Sequence, residues 1–277
     1  MNLSEKEFAY LEYVGEKARK TLDKVCALAN DTNDKRREAV PSLLVTAESF
    51  AECSRYGKAY GRILEQSPLV SIRGSRTYLE LVFPKNHPQD EQKFFSSPQR
   101  AVGIRNRFYG TMLISLEEYT GTDLMKSDSL LQLLGFIEAN KKNIRFVFYI
   151  SPGFGAKGQL LARLRKYIPM VEVTLSQPDV DMGYQYVSNE LTELGFILEE
   201  SVREQIKAIL LPTWMARNDF EGYNSLDTLV SRINCEAMML PESENMIIST
   251  GIIEDFLVRS EKEQHEMTEV SRLGFHS

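Results

Sequence analysis

Residue types that bind metals or act as nucleophiles are scarce in this sequence. There are three cysteines and three histidines: Cys26, Cys53, Cys235, His87, His265 and His276. The cysteines are far apart, show no CxxC or metal-ligand spacing and are odd in number, so they predict neither a zinc site nor a disulfide framework. The histidines fall in loop-like or terminal segments, too sparse for a histidine metal site or a Ser-His-Asp triad. We therefore predict no metal site.

The composition is that of an ordinary globular protein. The 277 residues are 43% hydrophobic and 26% charged, and the net charge is −6. This length predicts one or two domains, and no apolar run approaches the ~18 residues that a membrane span needs. The opening residues, MNLSEKEFAY, show no secretory pattern, so we expect a cytoplasmic protein. The acidic net charge argues against a broad nucleic-acid surface.

The N-terminal segment, residues 1–40, predicts a helix. Ser4 and Glu7 stand at capping-box spacing, and apolar residues then recur at steps of three and four as far as Val25. This pattern indicates one amphipathic helix over residues 4–29.

Residues 41–178 predict an α/β core. Five apolar runs are typical of strands: 43–45, 78–83, 112–116, 145–150 and 171–175. Helical patterns alternate with them: 55–65, 99–108, 130–140 and 159–167. Strands that alternate with helices of ~10 residues indicate right-handed crossovers and a mostly parallel sheet covered on both faces.

The rest of the chain is predicted to be mainly helical. Residues 179–240 carry three helical patterns: 180–194, 199–211 and 225–239. The tail, residues 241–277, is less regular, and its isoleucines fit either a strand or a helix edge. An α/β core followed by a small helical domain is the predicted organisation.

The order of these motifs resembles the AAA+ ATPases, in particular the CbxX/CfqX group with the red-type Rubisco activases and stage V sporulation protein K. The likeness is strongest in residues 137–153 (IEANKKNIRFVFYISPG), 164–179 (LRKYIPMVEVTLSQPD) and 193–210 (ELGFILEESVREQIKAIL). It implies a parallel-sheet AAA+ core of the P-loop NTPase type, a C-terminal all-helical lid and an additional N-terminal helix. It also implies protein partners, because AAA+ relatives assemble as rings.

The resemblance places the Walker A loop at residues 47–54, AESFAECS. Such a loop needs glycines so that backbone N–H groups cradle the phosphates, a Lys for the β/γ-phosphates, and a Ser or Thr for Mg²⁺. Here Glu52 stands at a glycine position and Cys53 at the Lys position, so only Ser54 fits. A carboxylate ~4 Å from a phosphate costs about 4 kcal/mol at an effective dielectric near 20. We therefore predict that ATP is not bound in the usual way.

The stretch 112–121, MLISLEEYTG, corresponds to the Walker B strand, which ends in an Asp for Mg²⁺ and a catalytic Glu. One register puts Leu116 at the Asp position and Glu117 at the catalytic position. The other gives the two roles to Glu117 and Glu118. A solvated strand end is an equally good interpretation of both glutamates.

Three further positions complete the comparison with the family. Ser151 stands at the sensor-1 position, although a Ser before Pro-Gly is also an ordinary turn residue. Arg165 matches the first arginine of the pair that reaches a neighbouring subunit's nucleotide, and Arg163 is a possible substitute for the second; surface ion pairs are the alternative role. The sensor-2 arginine is replaced by Asn224.

Phe94 and Phe95 lie where AAA+ translocases carry an aromatic pore loop. Ser96 replaces the usual glycine of that loop. The alternative is that both rings pack under a loop as a small core.

These losses favour a catalytically inactive AAA+-like protein, a pseudo-ATPase that acts as a binding or scaffolding subunit without a cofactor. Its partner would be an active AAA+ subunit or a second copy of the chain. One alternative is a divergent, active ATPase that remodels a protein substrate and uses ATP and Mg²⁺. Another is a clamp-loader-like module associated with nucleic acid, against which the acidic charge weighs.

Overall fold

The computed structural model describes residues 10, 13–33, 39–65, 78–85, 88–102, 109–239 and 246–259. The chain forms two compact units, Met1–Ser176 and Gln177–Ser277. The first contains the sheet and its helices, and the second is mainly helical.

The first unit is built on a five-stranded sheet in which every pairing is parallel. Its strands are β1 (Ser42–Thr46), β2 (Tyr78–Val82), β3 (Gly110–Ser115), β4 (Ile144–Ile150) and β5 (Met170–Thr174). Their spatial order is β2-β3-β4-β1-β5. The central strand, β4, pairs with β1 in a register that places Leu43 opposite Val147. The predicted α/β core is therefore confirmed.

Among the described residues of this unit, six helices cover the two faces of the sheet. They are α1 (Glu16–Ala29), α2 (Phe50–Glu65), α3 (Pro88–Val102), α4 (Gly121–Lys126), α5 (Asp128–Asn140) and α6 (Lys157–Leu164). Helix α2 packs on β2, β3 and β4, and α1 packs on α2 and β5. The opposite face meets α3 to α6 in a large apolar cluster that includes Phe146 and Phe148. Strands buried on both faces explain the continuous apolar runs in the sequence.

Two predicted helices differ from the structure. The helix expected over residues 4–29 is interrupted at Gly15, whose φ of +95° is a left-handed conformation that favours glycine, so α1 begins only at Glu16. Residues 1–9, 11 and 12 lie outside the described residues. The helix expected over residues 99–108 is instead Pro88–Val102, and residues 103–108 also lie outside the described part.

The second unit contains α7 (Val180–Glu193), β6 (Ile197–Leu198), α8 (Glu200–Gln205), a π-helical turn (Ile206–Leu210), α9 (Leu211–Met215), α10 (Tyr223–Met238), β7 (Ile247–Ile248) and α11 (250–259). The tail joins this unit, because β7 pairs with β6 and Phe256 of α11 packs 5.7 Å from the buried Trp214 ring. None of the described helices combines the length and the apolar character that a membrane span requires.

Candidate functional site

The candidate site lies at the carboxyl edge of the sheet, between β1 and β4. After β1, the chain passes through helix α2 to β2, the strand at the far edge of the sheet. After β4, it passes through helix α6 to β5, which lies on the other side of β1. Ligands of open parallel sheets bind in the crevice where the strand order reverses in this way. The loop after β1, Ala47–Ser49, and the residue after β4, Ser151, form this crevice.

The loop after β1 is short because α2 begins early, at Phe50. Ser49 caps the helix: the backbone N–H of Glu52 donates to Ser49 Oγ at 3.2 Å, and that of Cys53 donates to the Ser49 carbonyl at 3.3 Å. The predicted start at residue 55 was therefore five residues late. Ser49 and Glu52 stand at capping-box spacing, which is the sequence signal for the true start.

Aromatic rings cover the crevice. The ring of Phe50 lies 5.6 Å from that of Tyr149, the second-last residue of β4. The Tyr149 hydroxyl donates to the Glu48 carbonyl at 3.5 Å, and the side chain is only 4% exposed. These contacts join the loop after β1 to β4 across the position where the sheet order reverses.

Glu52 is turned inward and bonded to the N-terminal segment. Its side chain is 4% exposed, and Oε2 accepts a hydrogen bond of 2.9 Å from the hydroxyl of Tyr10, which is itself 1% exposed. The guanidinium of Arg55 lies 4.0 Å from the centre of the Tyr10 ring. Burial, and after it the Glu52 carboxylate, raise the pKa of the Tyr10 phenol, so the phenol stays protonated and remains a donor. No local sequence signal indicated this contact.

Ser54 is also committed to an internal contact. Its hydroxyl donates to Oε1 of Glu80 on β2 at 2.5 Å, and the Lys58 ammonium lies 3.5 Å from the same oxygen. The Tyr78 hydroxyl donates to the Ser54 carbonyl at 3.4 Å. Glu80, which the sequence analysis did not identify, holds Ser54 against β2.

These residues do not fit a phosphate cradle of the P-loop type. Such a cradle needs several unpaired backbone N–H groups in a loop, whereas the corresponding residues from Phe50 onward are helical. The backbone N–H groups of Glu52 and Cys53 are bonded to Ser49. A buried carboxylate at Glu52 would moreover face any phosphate with like charge.

Cys53 provides a test of this packing. It is completely buried, and burial, followed by the charges of Glu80 and Glu52, raises the pKa of its thiol well above the usual value. Because the thiolate is the reactive form, we expect Cys53 to resist iodoacetamide in the native protein, whereas the exposed Cys235 is alkylated. Peptide mass spectrometry after timed labelling measures both. Alkylation of Cys53 as fast as Cys235 would show that this region is open.

The Walker B stretch ends in a turn that contains Glu117 and Glu118. Leu116 is completely buried in the apolar cluster, and its N–H donates to the Tyr149 carbonyl at 3.0 Å. Glu117 and Glu118 are both exposed. Glu118 accepts a hydrogen bond of 2.7 Å from the backbone N–H of Lys85, which ties this turn to the segment after β2. Only Glu117 extends from the carboxyl edge of β3 without a described hydrogen bond to its side chain.

Ser151 lies directly after β4, and its carbonyl accepts from the N–H of Phe154 at 3.1 Å in a turn. Its side chain is partly exposed at the crevice. The structure thus places Ser151 and Glu117 at the same edge of the sheet, at the ends of the neighbouring strands β4 and β3.

Arg163 and Arg165 lie at the opposite edge. Helix α6 starts after the carboxyl end of β4 and ends before the amino end of β5, so its last turn is at the amino edge. Arg165 is exposed, and its Nε donates to the Met170 carbonyl at 3.4 Å. The two arginines are therefore separated from the crevice of their own chain by the length of the sheet.

Phe94 and Phe95 lie on helix α3 rather than in a loop. Phe94 is 4% exposed and packs 5.0 Å from the Phe83 ring, and Phe95 packs 5.5 Å from Phe136. Phe94 is buried and Phe95 is partly buried, and their packing on other rings agrees with the alternative of a small aromatic core.

In the second unit, Asn224, the position compared with sensor 2, lies in the first turn of α10. Its carbonyl accepts a hydrogen bond of 3.0 Å from Thr228. Within the described ranges, no three Cys, His, Asp or Glu side chains cluster closely enough to hold a metal ion.

The sheet order, its parallel pairing and the helical C-terminal unit define an AAA+ fold of the P-loop NTPase type. The structure of RuvB of Thermotoga maritima, a Holliday junction branch migration motor, is similar to this chain with a TM-score of 0.53 and 13% identity. The match covers 88% of this chain and 69% of that one. A single-substitution variant of the same protein gives a TM-score of 0.54 and 14% identity, with 88% and 70% covered. No family model matches the sequence, and no curated protein matches it.

Proposed function

We propose that this chain is a catalytically inactive AAA+-like protein, resembling the CbxX/CfqX group, that works as a binding or scaffolding subunit. The observation that carries the proposal is the state of Glu52: this residue, at a glycine position of the Walker A loop, is buried and bonded to Tyr10. A nucleotide would have to break this contact and take the place of the chain's own side chains.

The position of Arg165 supports a role toward a neighbouring molecule. An exposed guanidinium at the amino edge cannot reach the crevice of its own chain, but it is accessible to another subunit. A planar guanidinium is well suited to bind phosphate oxygens. This contact favours an active AAA+ subunit as the partner, and a second copy of this chain, which would be bound without a nucleotide, is the alternative.

The first experiment is a calorimetric titration of Mg-ATP and Mg-ADP into the purified chain, with light scattering on the same sample. We expect no heat assignable to the crevice up to millimolar nucleotide, because the phosphate cradle is absent and Glu52 repels the phosphates. Micromolar binding that is lost in Ser54→Ala, together with turnover lost in Glu117→Gln, would contradict the proposal and support a divergent, active ATPase.

A second experiment tests the scaffolding role. The chain is used to capture an AAA+ partner from its source, and the ATP turnover of that partner is measured with the wild-type chain, Arg165→Ala and the matched control Lys166→Ala. We expect only Arg165→Ala to change turnover, by about tenfold or more, as for a charge-assisted contact to a phosphate. Equal turnover with all three chains would contradict the proposal that Arg165 contacts the partner's nucleotide.

DNA binding is tested alongside, because the similar RuvB structure is that of a branch migration motor. With a net charge of −6, we expect no binding of duplex or single-stranded DNA at physiological salt. Fluorescence anisotropy with labelled oligonucleotides measures this.

A further inference from the structure

The amino edge of the sheet contains a cavity of about 450 Å³, on the side opposite the crevice. It lies between the turn that connects α5 to β4, the turn that connects α6 to β5, and the start of β1. Its volume falls in the range of small-molecule sites, which is roughly 300–1,000 Å³.

The charge of this cavity is of one sign. Three cationic side chains line it, Lys141, Lys142 and Arg145, and none of the described residues that line it carries a carboxylate. Glu138, which does not line the cavity, pairs with Lys141 at 2.7 Å and offsets its charge, so Lys142 and Arg145 supply the positive charge of the cavity. The local charge is therefore opposite to the net charge of the chain.

The polar groups of the lining are arranged as donors. Arg145 is partly buried, and its Nη1 donates to the Lys141 carbonyl at 2.9 Å, which orients the guanidinium. Ser42 is 2% exposed, and its Oγ accepts from the Phe146 N–H at 2.9 Å. This bond uses one of the two lone pairs of the hydroxyl, and its proton is available to donate to a ligand. Cations and a hydroxyl donor together select an anion.

The remaining wall is apolar. Ile144 is 1% exposed and Ile168 is 5% exposed, and the Tyr167 ring lies beside them. A lone inorganic anion would leave this wall uncovered, whereas a molecule with an anionic end and a flat apolar body would contact both parts.

We infer that this cavity binds a small organic phosphate of mononucleotide size. The phosphate lies against Lys142 and Arg145, with the Ser42 hydroxyl as a further donor, and the ring or sugar packs against Tyr167 and Ile168. The site is separate from the crevice and does not depend on the proposed function.

Calorimetry with AMP, pyrophosphate and adenosine tests this inference on the full chain. We expect AMP to bind, pyrophosphate to bind more weakly than AMP because it leaves the apolar wall uncovered, and adenosine to bind at least about tenfold more weakly than AMP, since it lacks the anion. Lys142→Ala and Arg145→Gln should each weaken AMP binding about tenfold or more, as lost charge-assisted contacts do. The matched control is Lys126→Ala, an exposed lysine of α4 outside the cavity, which should bind AMP like the wild type.

Three outcomes would overturn the inference: no binding of AMP to the wild type, equal loss of AMP binding in Lys126→Ala, or equal affinity for adenosine and AMP. Lys142 is exposed, so Lys142→Ala is expected to fold even where Arg145→Gln does not. If a single-stranded oligonucleotide binds through Lys142 and Arg145 and AMP does not bind, the cavity is a nucleic-acid site. This result would also overturn the inference.

The same variants separate this site from the crevice. ATP is added to both variants. If the heat of binding disappears in Lys142→Ala and persists in Ser54→Ala, ATP binds in the cavity and the proposed function is unaffected. Heat that disappears in Ser54→Ala and persists in Lys142→Ala contradicts the proposed function alone.

Discussion

Replacing Gly121 with alanine is expected to destabilise the protein by about 3 kcal/mol, at the upper end of what overpacking costs. Gly121 is the first residue of α4, and its N–H donates to the Phe154 carbonyl at 2.7 Å. An added Cβ would lie 2.1 Å from that oxygen and 2.4 Å from the Ala156 nitrogen. Both contacts are backbone atoms of the loop after β4, so α4 has to move away from the loop that begins with Ser151.

Gly135→Ala is the matched control for this change. Gly135 lies within α5, and an added Cβ would meet no atom within 4 Å. Alanine in a helix interior is favoured over glycine by about 0.5–1 kcal/mol, so this variant should be more stable than the wild type. Urea unfolding followed by circular dichroism compares the two. A Gly121→Ala variant within 1 kcal/mol of the wild type would show that α4 does not dock closely on this loop.

Removing the Tyr10 side chain is the second change with a large expected effect. Tyr10→Ala deletes a ring that is 1% exposed and leaves the buried Glu52 carboxylate without this donor. Large-to-small changes of buried aromatic residues cost about 3–5 kcal/mol. Tyr10→Phe keeps the ring and loses only the hydrogen bond, so we expect a smaller cost, about 1–3 kcal/mol.

The control is Tyr109→Phe, at a partly exposed tyrosine, which should stay within about 0.5 kcal/mol of the wild type. Urea unfolding gives the order of the three variants. Equal stability of Tyr10→Ala and the wild type would mean that the N-terminal segment does not pack on α2. A Mg-ATP titration of Tyr10→Ala adds a second result: we expect no binding at the crevice, because Glu52 and the early start of α2 remain.

The strands were predictable because burial on both faces leaves a plain signal. All five residues of β1 and all six of β3 are buried, and each strand is a continuous apolar or small-residue run. Their alternation with helices sufficed to predict the α/β class. The location of Ser151 and Glu117 directly after strands was also predictable, because the apolar runs of those strands are recognisable in the sequence. Ser54 and the two arginines likewise lie on or next to predicted helices.

What these side chains contact was not predictable. Tyr10 and Glu52 are 42 residues apart, and Ser54 and Glu80 are 26 apart, so no local pattern connects them. The resemblance also suggested a loop at residues 47–54, whereas the Ser49 cap starts the helix at Phe50. The local capping signal at Ser49 therefore predicts the start of this helix better than the comparison with the family does. The contact of Phe94 with the Phe83 ring was not predictable for the same reason, because the residues next to Phe94 in sequence do not indicate it.

The place of β1 inside the sheet has consequences for synthesis of the chain. Its two neighbours in the sheet are β4 and β5, both much later in sequence: the contact between Ser42 and Phe146 spans 104 residues. At roughly 5–20 residues per second, the ribosome needs on the order of 5–20 s to supply the first of them. During that time an apolar strand, Ser42–Thr46, is translated but has no partner edge. Newly made chains are thus most exposed to aggregation, and most dependent on chaperones, in the interval between β1 and β4.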